Sequence, residues 1–385
     1  MAGMSTSVGS KEAARLLGVT TATLYAYVSR GLLTRDVAVD GRTSLYDREE
    51  IERLASRSRR REPLERPSID VQISTAVTRL DDRGPMIRGH ALLELATTHS
   101  FEQVAELLMT GRLGEPKATW PCDRAALARS RSIVDAASPV QPLTAMSLAA
   151  AAMAAEFAPT EAADAGRRVL GVVPSLFGGP QGGDIATRLA RAWTRRPSPL
   201  LVAAISRALV LLADHGLATS TLAVRVAASV RTTPASAIAC GLEVVAGPYH
   251  GMASQASAAL FEDAAARGAA QVIAERRDAG RRLPGFGHSV YRNGDPRFEP
   301  LLDAVMALSG DPDRRTVVDE VLAEAGRTIG HLPNVDLALG ALYFLGGLPP
   351  DAPLFAIARI PGWVAHYAEE LDERPVRFRG LAKER

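Results

Sequence analysis

Three short turns in the C-terminal half of this 385-residue chain each hold one proton-transferring side chain: His250 in Gly247-Pro248-Tyr249-His250-Gly251, His288 in Gly285-Phe286-Gly287-His288, and Asp336 in Pro333-Asn334-Val335-Asp336. Glycine and proline fix the direction of such turns and leave room around the side chain, which suits a group that must meet a small substrate from one angle. Two imidazoles and a carboxylate supply acid and base for carbonyl chemistry without a metal. The second turn runs on to Asp295-Pro296-Arg297.

The elements that must carry these turns read as helices. From Ile69 onward, apolar faces of helical period recur at 92–95, 101–109, 125–136, 186–193, 199–213, 222–230 and 256–266, separated by Gly, Pro or Ser/Thr clusters. Alternating strands are scarce, so the expected class is all-α. The most apolar stretch, 143–155, is alanine-rich and much shorter than the roughly 20 residues of a membrane span, which makes it a buried helix. The glycines of 178–183 lack a preceding strand and a following Lys-Ser/Thr, so they form a flexible loop rather than a phosphate loop.

A separate module stands at the front. Ser10 suits an N-cap for a helix through Leu17, which Gly18 breaks; Thr20 caps a second helix ending at Gly31, with Leu24, Tyr25 and Val28 as its stripe. Residues 36–46, centred on Asp40-Gly41, read as a hairpin or wing, and Asp47 caps a helix to about Ser58. The runs Ala13-Ala14-Arg15-Leu16-Leu17-Gly18-Val19 and Thr23-Leu24-Tyr25-Ala26-Tyr27-Val28-Ser29-Arg30-Gly31-Leu32 resemble the MerR/excisionase-like winged-helix family. That resemblance implies a second helix in the DNA major groove, with Thr21, Thr23, Tyr27, Arg30 and Arg42 as contacts. Protein docking is the other use of such a module. Residues 1–66 hold 12 Lys/Arg and 9 Asp/Glu (12 − 9 = +3), few charges for a phosphate surface. The division is therefore 1–60 winged helix, 61–68 linker and 69–385 helical body.

Composition sets the bounds. With 47% hydrophobic and 23% charged residues the chain is an ordinary globular protein, and its net charge of +2 names no partner. Cys122 and Cys240 stand far apart in no ligand spacing, which argues against disulfide and zinc and fits a reducing cytoplasm. No charged-then-apolar signal pattern opens the chain, so export is not expected.

Across 69–385 the motifs resemble the citrate synthase family: Ile87-Arg88-Gly89-His90, Ser100-Phe101-Glu102-Gln103-Val104-Ala105, Asp214-His215, Arg225-Val226-Ala227-Ala228-Ser229, the three turns, Arg359, Gly362-Trp363-Val364-Ala365-His366 and Arg374-Pro375. The resemblance implies a nearly all-helical homodimer that condenses acetyl-CoA with oxaloacetate and hydrolyses the thioester. It also implies a large helical domain and a small one, roughly 252–357, that closes over substrate and excludes water. On this likeness Asp336 is the base and His250 its neutral partner, held so by the helix expected to begin near Met252. His288 protonates the oxaloacetate carbonyl.

Arginine binds carboxylates through paired hydrogen bonds. The resemblance assigns Arg297, Arg359 and, from the other subunit, Arg374 to the keto acid, together with His215. It assigns Pro284, Gly285 and Asn334 to CoA, with Arg292 and Arg327 as candidate cations and no cofactor beyond acyl-CoA as substrate. His99 and His331 read as surface or satisfied residues and His366 as packing. Gly216, where the family often has glutamate, and Ser289, where bacterial members often have arginine, depart from the pattern. Two alternatives accompany citrate synthase: 2-methylcitrate synthase using propionyl-CoA, and a regulator whose enzyme-like domain senses the metabolites.

Overall fold

The computed structural model describes residues 7–17, 19–29, 33–38, 43–48, 50–51, 72–81, 84–156, 161–247, 250–288, 290–291, 293–308 and 311–379. They form two compact units, Met1–Ile73 and Ser74–Arg385.

The first unit runs β1 (Ser7–Gly9), α1 (Ser10–Leu17), α2 (Thr21–Ser29), β2 (Asp36–Val37) and β3 (Ser44–Asp47), with an antiparallel sheet in the order β1-β3-β2. Thr20 caps α2 as expected, its Oγ1 accepting from the Thr23 N–H at 3.2 Å, and Asp47 Oδ1 accepts from the Glu50 N–H at 3.0 Å. Ser10 is instead the first residue of α1, because β1 runs straight into the helix. The apolar stripe of α2 differs by one position: Tyr27 joins Leu24 and Val28 on the core of Ala13, Tyr46 and Ile51, whereas Tyr25 is exposed. The three- and four-residue steps from Leu24 land on 27 and 28, not on 25. Gly18, Arg30, Gly31, Asp40, Gly41, Arg42 and the linker 61–68 lie outside the described residues.

In the second unit a small antiparallel sheet, β4 (Thr78–Asp81), β5 (Gly84–Ile87) and β6 (His90–Ala91), precedes the helices. Sequence periodicity misses it because its strands are two to four residues long and β5 opens with Gly-Pro. The Ile87-Arg88-Gly89-His90 segment is its tight turn, with Arg88 and Gly89 both at positive φ (48° and 84°).

The helices follow as α3 (Leu92–Thr98), α4 (Phe101–Thr110), α5 (Arg124–Ala137), α6 (Pro142–Ala154), α7 (Ala162–Leu176), α8 (Ile185–Trp193), α9 (Pro199–Leu212), α10 (Thr219–Ser229) and α11 (Pro234–Val245). Then come α12 (Ala253–Arg267), α13 (Ala269–Asp278), α14 (Phe298–Met306), α15 (Pro312–Thr328), α16 (Val335–Gly346) and α17 (Leu354–Leu371). Several of their starts are written in side chains. Ser100 and Gln103 form a capping box on α4, and Asp123, Asp184, Ser198, Thr233 and Asn334 each accept from first-turn N–H groups. Helix α17 is buried on nearly every side and packs against α4, α7, α9, α10 and α11, so that its ionisable residues Arg359, His366 and Glu370 are buried along with its apolar ones. No helix among the described residues is long and apolar enough to cross a membrane.

Candidate active site

Two of the three turns are fastened to each other. The Gly287 N–H donates to the Leu332 carbonyl at 2.8 Å and the Asn334 N–H to the Gly285 carbonyl at 2.9 Å, while the Asn334 amide nitrogen donates to the Gly287 carbonyl at 2.7 Å. Asn334 Oδ1 meanwhile caps α16 by accepting from the Asp336 N–H at 2.9 Å. Both ends of the Asn334 side chain are thus engaged within the protein. Gly285 is required: at φ 77° a Cβ there would lie 2.8 Å from Leu337 Cα.

These ties put the Asp336 carboxylate, in the first turn of α16, beside the site with no hydrogen-bond or ion-pair partner among the described residues. Burial raises its pKa, against the pull of Arg297 and Arg359.

His288 is oriented by its own loop. Its Nδ1 accepts from the Val290 N–H at 3.0 Å and the Tyr291 N–H at 3.1 Å, so the neutral ring carries its proton on Nε2. Burial and then Arg297 lower its pKa, keeping it neutral.

His250 is held by Ser220. Its Nε2 meets the Ser220 N–H at 3.3 Å and the Ser220 hydroxyl at 2.9 Å, and Trp363 Nε1–H donates to that same hydroxyl oxygen at 3.3 Å. The hydroxyl proton therefore points at His250, whose own proton resides on Nδ1. Ser220 lies in the first turn of α10, so the helix end that touches this imidazole is that of α10; the helix expected near Met252 does begin there, as α12. Burial, followed by Arg359, lowers the His250 pKa.

Two buried arginines join these groups. Arg359, on α17, is an electrostatic neighbour of His215, His250, His288, Tyr291 and Asp336, and Arg297 of all of these except His250. Asp295 grips Arg297 with two 2.9 Å hydrogen bonds and also accepts from the Val335 N–H at 3.0 Å. Burial by itself raises the Asp295 pKa; this paired contact brings it below the usual carboxylate value. Arg297 Nη1 and Arg359 Nε and Nη1 are buried donors with no acceptor among the described residues. Unmatched N–H groups on buried guanidiniums are costly unless a ligand anion completes them. His215 completes the cluster: burial, then Arg297 and Arg359, push its pKa down to about 2.

Behind Arg359 lies a buried ionic chain. Asp214 accepts from the Thr78 hydroxyl at 2.6 Å and the Gly216 N–H at 2.8 Å, and His366 Nε2 stands 3.5 Å from it. Burial alone would raise Asp214; His366, Arg359 and Thr78 outweigh it and take the carboxyl down to about 2. Arg225 Nη1 donates to His366 Nδ1 at 3.2 Å and Arg225 Nε to Glu370 at 2.8 Å. Gly362 lets α17 approach this closely, because a Cβ there would sit 2.6 Å from the Ala213 carbonyl oxygen.

The remaining sequence-derived residues are distributed as follows. Pro284 and Gly285 border the fastened turns, and His331 is exposed and lines a cleft of about 350 Å³ together with His288, Tyr291, Asp295 and Pro333. Arg327 is exposed and pairs with Glu324. Arg374 is exposed beyond α17 and does not join the cluster within this chain, whereas Arg377 is held by both oxygens of Glu370. Thr21 is exposed, Thr23 is tied to Thr20, and Tyr27 faces its own module's core. Pro248, Tyr249, Ser289 and Arg292 lie outside the described residues. Ser220 and Tyr291 are contacts that motif reading missed; Ser220 acts partly through its backbone, which leaves no side-chain signature.

An acid-base pair of turns, uncompleted buried guanidiniums and a nearly all-helical body define the class. The chain belongs to the citrate synthase family, whose C-terminal-domain model matches residues 70–379; the model for MerR HTH family regulatory proteins matches residues 9–57. It is 36% identical over 188 residues to the citrate synthase of Corynebacterium glutamicum, covering 45% of this chain and 43% of that protein. To the 2-methylcitrate synthase of Mycobacterium tuberculosis strain H37Rv it is 29% identical over 318 residues, 74% of this chain and 80% of that protein. It thus spans less than half the length of the first of these relatives. The citrate synthase structure from Pyrobaculum aerophilum superposes with a TM-score of 0.69 at 24% identity, covering 81% of this chain and 89% of that one, which shows the shared fold.

Proposed function

We propose that this chain is a citrate synthase, condensing acetyl-CoA with oxaloacetate and hydrolysing the thioester to citrate and CoA. The observation that carries this reading is the pairing of uncompleted donors on buried Arg297 and Arg359 with the unpaired carboxylate of Asp336. A dianionic keto acid completes the guanidiniums, and a carboxylate freed of partners, with its pKa raised by burial, suits removal of a proton from a weak carbon acid. A citrate synthase from Thermoplasma acidophilum, similar in fold, is described in a ternary complex with carboxymethyl coenzyme A and oxaloacetate.

In the proposed reaction Asp336 takes a proton from the acetyl methyl, while His250 donates from Nδ1 to the thioester oxygen as the enol forms. His288 donates from Nε2 to the keto oxygen under attack. The neutral state of both imidazoles suits them to donate without placing a third and fourth positive charge beside the arginines. Arg374 of the partner subunit completes the carboxylate site, and movement of the 252–357 segment closes it.

The test is CoA-thiol release from the purified full chain with oxaloacetate and either acetyl-CoA or propionyl-CoA. A preference for acetyl-CoA of at least about tenfold is expected, the lower end of what one methylene is worth. The reverse preference would make the protein a 2-methylcitrate synthase. No release with either thioester, alongside salt-sensitive binding to a specific DNA site, would sink the enzyme reading and leave a metabolite-sensing regulator.

A further inference from the structure

Tyr291 belongs neither to the proton-transfer groups nor to the carboxylate-binding arginines, yet it touches members of both. Its hydroxyl lies 3.1 Å from His215 Nε2. Its ring is 4.7 Å from that of His288, tilted by 34°, and its backbone N–H donates to His288 Nδ1. The Arg297 guanidinium sits over its face at 5.4 Å, and the His215 and His288 rings meet edge-on at 5.3 Å.

We propose that Tyr291 is a positioning residue for the keto acid, its phenol fixing His215 while its ring and backbone N–H fix His288. This rests on the citrate synthase reading. A neutral imidazole has one N–H and two tautomers, and a donor on one nitrogen selects which of them faces a ligand. Burial pushes the phenol pKa up to about 12, so it remains a protonated donor across the working range. In the proposal Tyr291 Oη–H is the donor to Nε2, so that His215 presents its proton on Nδ1. With the tyrosine ring against one face and two backbone N–H groups on Nδ1, His288 has little freedom to turn Nε2–H away from the acceptor carbonyl.

Tyr291→Phe keeps the ring and removes only the hydroxyl. Its oxaloacetate KM is expected to rise about three- to tenfold with kcat within about twofold, and calorimetric oxaloacetate affinity to fall by the same factor. Tyr291→Leu also removes the ring, and a further fall in kcat of about tenfold is expected as His288 loses its packing. A Tyr291→Phe protein with wild-type KM and wild-type affinity overturns the inference, as does a loss that tracks melting temperature and vanishes on cooling. Wild-type protein that neither releases thiol nor binds oxaloacetate overturns the function reading itself, and the two failures are told apart by that control.

Discussion

At the scale of single residues the site is organised by which protons are already in place. Asp336→Asn should lower kcat by at least about a thousandfold while oxaloacetate affinity stays within about threefold, because the amide preserves shape but cannot take a proton. Near-normal turnover would refute the base. The wild-type pH profile follows from the signs: burial raises Asp336 above its ordinary 3.8, and burial with the arginines lowers His250 and His288 below their ordinary 6.5. The active state thus has a deprotonated carboxylate and two neutral rings. The acid limb of kcat should therefore lie above 3.8, where the raised carboxyl takes up its proton, and a limb at or below 3.8 would contradict Asp336 as the buried base. His250, His288 and Asp336 were legible in sequence because each stands in a Gly/Pro-defined turn. Ser220 and Tyr291 were not, since one works partly through a backbone N–H and the other stands in an otherwise ordinary loop.

At the scale of elements, the helix start at Thr20 was legible because a side chain does the capping, whereas the helices capped by Thr233 and Asn334 went unread. The β4–β6 sheet was hidden because its strands are only two to four residues long and β5 opens with Gly-Pro, and the joints between helices because they depend on groups distant in sequence. One such joint is Glu102 in the first turn of α4, buried, whose Oε1 accepts from the Ile185 N–H at the start of α8 at 2.6 Å. Burial raises its pKa from 4.5 to about 7. Since the folded value exceeds the unfolded one, the fold favours the protonated acid; that stability is complete below 4.5 and is lost as pH rises through about 7. Glu102→Gln retains the accepting oxygen without the charge. Its melting temperature should therefore vary less than that of wild type between about pH 5 and 8, and an unchanged slope would rule the joint out as the cause.

At the scale of the whole molecule, the exposure of Arg374 within one chain supplies a test of assembly. If it serves the partner's site, Arg374→Ala and Asp336→Asn proteins, each nearly inactive alone, should regain about a quarter of wild-type activity when unfolded and refolded together, since half of the dimers are hybrids with one intact site. No recovery from mixed refolding would confine Arg374 to its own chain. Assembly was not legible in the residues themselves and came only through family likeness, because an exposed arginine near a chain end has the same local signature whether or not a neighbour uses it. The fastening of the 285–288 turn to the 332–336 turn has a consequence for descent. With Asn334 bonded to both Gly285 and Gly287, a substitution that shifts either turn displaces His288 and Asp336 together. The two segments must therefore change together as one heritable block, leaving His250, held separately by Ser220, as the group around which the site can diversify.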